Sequence, residues 1–125
     1  MRSLLVLSCM LLSSAALSAD WSCQNSDVEV RCEKNVCEAS ESFTPISIHT
    51  SGSGLTEVCA YSGCWRGNAK YSTTEHYTVI SAKGLQWDGT TENPADILIV
   101  IDQKDSIGFL KGGGFAMPIQ CSKTN

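Results

Sequence analysis

The residues of this chain whose types could do chemistry are two histidines, a scatter of carboxylates and seven cysteines. A cysteine nucleophile must be a thiolate, and the cysteines here are spaced for disulfides, so a Cys-His pair is not expected. His49 and His76 would need further ligands to hold zinc, and oxidised cysteines supply none. Ser62-Gly63 is half of a nucleophile elbow, without the Gly-x-Ser-x-Gly frame or a following helix. Asp88, Glu92, Asp96, Asp102 and Asp105 are candidates for paired acid–base work. Each falls in or beside a turn, however, where solvated acids are expected anyway. Asp102 to Asp105 is too short for a calcium loop and contains a lysine. Lys111-Gly112-Gly113-Gly114 lacks the Gly-Lys-Ser/Thr ending and helix of a phosphate loop. No catalytic centre, metal or cofactor is expected.

Recognition is the chemistry that remains. Cys59 and Cys64 enclose a Tyr-Ser-Gly turn, and Trp65-Arg66 leads out of it. Tyr61, Trp65 and Arg66 together have the composition of an interface hot spot. Packing beneath a barrel end, over a Cys59–Cys64 bridge, is the equal alternative for Trp65.

These groups need a scaffold, and the cysteines and periodicity describe one. Met1-Arg2, an apolar Leu4 to Leu12 and a small-residue Ser13 to Ala19 form the pattern of a secretory signal over residues 1–19. The apolar run is too short for a membrane span, which needs about 20 residues. Removing the leader leaves an even set: Cys23, Cys32, Cys37, Cys59, Cys64 and Cys121. In an exported chain this reads as a disulfide framework. Many pairings are open; spacing favours Cys32–Cys37 and Cys59–Cys64 as local staples and Cys23–Cys121 as the tie between the ends. The expected location is the periplasm or outside the cell.

Residues 20–125 make one β domain. Val28, Val30 and Cys32 alternate with charged residues, as in a half-buried strand. Strand-forming runs follow at Phe43 to Thr50, Leu55 to Tyr61, Trp65 to Tyr71 and Tyr77 to Ala82. Leu85 to Trp87 extends the last of these past a bulge at Lys83-Gly84. Ile97 to Ile101 is the most apolar run and reads as a central strand covered on both faces. Ser106 to Leu110 and Phe115 to Cys121 complete an all-β, disulfide-stapled antiparallel barrel or sandwich of about eight strands. The formal net charge is −4, which disfavours nucleic acid and suits a basic protein partner. The oligomeric state is left open.

Ser51-Gly52-Ser53-Gly54 resembles the first motif of the periplasmic and membrane-bound inhibitors of C-type lysozyme, with Glu57 where that motif carries tyrosine. Tyr77 to Gly84 is similar to their second motif, with one extra residue before the lysine. The resemblance implies an eight-stranded antiparallel barrel. It also implies a protein partner, a basic lysozyme, whose catalytic carboxylates are met by Ser53 and Lys83. The alternative is a non-enzymatic structural or interaction domain of the cell envelope that uses the Tyr61–Arg66 turn.

Overall fold

The structure is a computed structural model that describes residues 19–25, 28–90 and 92–124. The expected leader, apart from Ala19, lies outside them. Among the described residues the chain forms ten strands and no helix. They are β1 (Trp21–Gln24), β2 (Glu29–Glu33), β3 (Val36–Ser40), β4 (Ser47–Thr50) and β5 (Leu55–Cys59). After them come β6 (Cys64–Thr73), β7 (Tyr77–Trp87), β8 (Ala95–Asp102), β9 (Ile107–Gly112) and β10 (Phe115–Lys123).

Eight of these strands close a barrel in the order β1-β4-β5-β6-β7-β8-β9-β10, and β10 returns to pair with β1. All the pairings are antiparallel. The expected barrel is therefore observed, and the sandwich is not. The two further strands form the β2–β3 hairpin, which joins the sheet where Arg31 pairs with Phe115 at the start of β10. Lys34 and Asn35 turn this hairpin with φ of 49° and 68°, the paired positive values of a tight type I′ turn.

Closure follows from the alternation of the strands. Ile97, Ile99 and Ile101 on β8 are buried and meet Ile80, Leu110, Met117 and Ile119 inside the barrel. The outer face of the same strand is not covered. Leu98 is 38 % exposed and Val100 is half-buried. The expectation that β8 is covered on both faces is thus corrected: an antiparallel barrel has an inside and an outside, and among the described residues Leu98 stays exposed on this strand's outside.

Each disulfide joins directly opposed strand residues: Cys23 with Cys121, Cys32 with Cys37, and Cys59 with Cys64. Their Cα atoms lie 4.0, 4.1 and 4.0 Å apart, near the ~4.5 Å of closely spaced antiparallel pairs. Cys23–Cys121 seals the barrel at the β1–β10 seam. Three such bonds are compatible with an oxidising compartment.

Buried polar contacts attach the hairpin's connections to the barrel. The Asn25 side chain accepts from the Ile46 N–H at 2.6 Å and donates to Thr44 O at 3.0 Å and Val28 O at 3.2 Å. Glu29, only 2 % exposed, accepts from Arg31 Nε at 2.7 Å and from the Thr44 N–H at 2.8 Å.

Candidate functional site

The antiparallel order gives the barrel two ends. One carries the β5–β6 turn, the β7–β8 and β9–β10 connections and the β2–β3 hairpin. The other carries the Ser51–Gly54 loop and the β6–β7 and β8–β9 turns. Tyr61 and Trp65 belong to the first end, Ser53 lies in the loop at the second, and Lys83 sits between them along β7.

Tyr61, Trp65 and Arg66 stand at the hairpin end. Tyr61 projects, 74 % exposed, with its hydroxyl donating to Phe43 O at 3.0 Å. Trp65 is half-buried and packs against the core. Its ring lies edge-on to Trp87 with centroids 4.6 Å apart, and its indole N–H points to Asn93 O at 3.4 Å. Arg66 is held from both sides: Nε meets Glu57 Oε2 at 2.5 Å, and Nη1 lies 3.7 Å from Asp88 Oδ1. Asp88 also accepts from the Cys64 N–H at 3.0 Å. The turn is crowded, since a Cβ on Gly63 would lie 2.0 Å from Asp88 Oδ2. Trp65 and Arg66 therefore brace this end of the barrel, while Tyr61 is the member of the set that reaches outward.

Ser53 and Lys83 lie elsewhere. Ser53 is exposed in the β4–β5 loop, where its hydroxyl shares a hydrogen bond of 2.7 Å with that of Ser51. Gly54 has φ of +104°, a conformation glycine accepts at little cost. A Cβ there would also stand 3.0 Å from Ala69 O. Gly54 O accepts from the Ala69 N–H at 2.7 Å, and Ala69 pairs with Ala82, the residue before Lys83. Ser53 and Lys83 thus flank one row of three neighbouring chain segments, spanning about 10 Å of sheet. Lys83 sits on the β7 bulge, where the register shifts between Ala82 and Leu85. It is exposed, with no ion-pair partner among the described residues. The Gly84 N–H beside it donates to Asp96 Oδ1 at 2.8 Å.

A groove of about 330 Å³ opens beside the serine loop, lined by Asp20, His49, Thr50, Ser51, Leu55 and Glu57 among others. Asp20 also fixes the loop, accepting from the Gly52 N–H at 2.6 Å. His49 stands opposite Glu57, and Glu57 opposite Arg66, in a polar row on the outer face. Beneath the loop, the buried Thr50 and Thr56 hydroxyls oppose each other; among the described residues neither has a hydrogen-bond partner of good geometry. Burial lifts the Tyr71 phenol above its usual pKa; the Thr50 hydroxyl works against this, and the Asp20 charge adds to it.

The other residues considered for chemistry do not converge into a pocket. His76 is exposed in the β6–β7 turn, while His49 is on β4. Asp102 and Asp105 accept backbone N–H bonds within their own turn, from Lys104 and Ile107. Glu57, Cys59 and Cys64 come close enough to suggest a metal site, but the two sulfurs are bonded to each other. Gly112, with φ of +142°, lets β9 pass β8; a Cβ there would lie 2.4 Å from Asp96 O. Among the described residues no helix is long and apolar enough to cross a membrane.

Sequence reasoning did not single out Asn25 or Glu29. Their signal is weak because the contacts join segments far apart in the chain. No protein-family model matches the chain, and no curated protein or solved structure does so either.

Proposed function

We propose that this chain is an exported binding protein that inhibits C-type lysozyme, directing Lys83 and Ser53 at the enzyme's catalytic carboxylates. The observation that carries the reading is the Gly54–Ala69–Ala82 row, which joins the serine loop to the lysine bulge across two strand spacings. Two short motifs far apart in sequence thereby become one continuous surface. An exposed ammonium without a partner is suited to a charge-assisted bond with a carboxylate. Such a bond would occupy the acid needed for glycoside hydrolysis. The net charge of −4 favours approach to a basic enzyme.

The test is a lysozyme turnover assay titrated with the oxidised protein. Inhibition at micromolar protein that weakens with added salt is expected. Full turnover at that concentration removes the reading.

A further inference from the structure

Closing the barrel gives each of its eight strands a neighbour on both sides, and the appended hairpin ends the strand order at β3. Among the described residues β3 pairs with β2 alone, and Val36, Cys37, Glu38 and Ala39 are all exposed. The direction of the free backbone groups can be read from β2. The Cys32 N–H donates to Gly114 O at 3.2 Å, so its polar groups face β10 rather than β3. Cys32 and Cys37 are therefore a pair without mutual backbone bonds. Cys37 and, by alternation, Ala39 turn their N–H and C=O groups away from β2, into solvent.

An open edge of this kind is a template for another strand. The bridge between Cys32 and Cys37 and the tight turn at Lys34-Asn35 hold it extended in advance, which lowers the ordering cost of binding. The side chains specify the guest. Glu38 stands opposite Arg31, but Arg31 is bonded to Glu29, leaving Glu38 without an ion-pair partner among the described residues. Val36, 58 % exposed, lies two positions away on the same face. Pairing β3 with a second copy of itself over its full length would set Glu38 against Glu38, a destabilising juxtaposition.

We infer that the free edge of β3 is a docking strand for an extended basic peptide segment, added antiparallel by backbone bonds to Cys37 and Ala39. The guest places a lysine or arginine opposite Glu38 and, two residues later, an apolar side chain opposite Val36. Inhibition of lysozyme is not needed for this surface to work.

The probe is the capped peptide Ser-Thr-Lys-Thr-Val-Thr-Ser, titrated into the full oxidised chain and followed by amide NMR. The Cys37 and Ala39 amides are expected to shift and gain exchange protection. Glu38→Lys should reverse the preference toward the same peptide with Glu in place of Lys, by about fivefold. Ala39→Pro, which removes an outward N–H that the fold does not use, should abolish the shifts while the barrel signals persist; if it unfolds the hairpin, Glu38→Lys carries the test. Unmoved β3 amides at millimolar peptide, or equal binding of both peptides by the unmutated chain, overturn the inference. Self-association lost on Ala39→Pro would also overturn it, assigning the edge to a second copy.

Discussion

The Glu29 carboxylate, almost fully enclosed, takes the Thr44 backbone N–H at 2.8 Å and so joins β2 to the connection leading into β4. Enclosure alone would raise the carboxyl pKa. The bonds from Arg31 and Thr44, with the Arg31 charge, outweigh it, and the folded value lies below the usual 4.5.

A depressed carboxylate stabilises the folded state fully above its unfolded pKa. That contribution is lost as pH falls through the lower folded value. Urea midpoints measured from neutral to strongly acidic pH should therefore decline below about 4.5. Glu29→Gln should be less stable at neutral pH and show a flatter decline. Parallel curves for the two proteins would contradict this assignment.

Thr56 is 0 % exposed and its hydroxyl is without a partner among the described residues. Thr56→Val keeps the shape and removes an unsatisfied polar group. It should raise stability by about 1 kcal/mol, read as a higher denaturant midpoint with an unchanged slope. A loss of stability would mean the hydroxyl is satisfied in solution.

The bridges should differ in their contributions. Cys23–Cys121 closes a separation of 98 residues, against 5 for each of the other two. Loop entropy assigns about 4–5 kcal/mol to the long one and about 2 kcal/mol to each short one. Paired alanine replacements, compared by urea unfolding of the oxidised proteins, should follow that order.

For inhibition, Lys83→Ala should raise the inhibition constant on the order of a hundredfold if the ammonium meets a buried carboxylate. Ser53→Ala should cost about tenfold, the scale of one hydrogen bond. Tyr61→Ala, in the turn at the far end of β5 from the serine loop, should leave inhibition unchanged. Dependence on Tyr61 alone would move the contact to the β5–β6 turn.

Much of the fold is legible in the sequence. The alternation at Val30 to Glu33, the break at Ser51 to Gly54 and the β7 bulge after Ala82 all lie in local pattern, whereas Glu29, expected outward, is buried. So do the paired positions of Cys32 with Cys37 and Cys59 with Cys64, because a short turn leaves little choice of partner. The Ile97 to Ile101 run misleads: an unbroken apolar strand does not encode which of its faces meets solvent, and Leu98 shows that one does. Asn25 and Glu29 are illegible for another reason. Their partners Ile46 and Thr44 lie beyond the β2–β3 hairpin in the chain and become neighbours only as β1 pairs directly with β4. The approach of the Ser53 loop to Lys83 across β6 is likewise a property of strand order.

Because every sulfur pair lies across a ladder rung, a bond forms without distortion only when its two strands are correctly aligned. A slip by one residue would turn one cysteine inward and its mate outward, beyond easy reach. Oxidation during folding thus proofreads the sheet, and a fully oxidised chain that has scrambled its partners carries a permanent record of the misalignment that produced it.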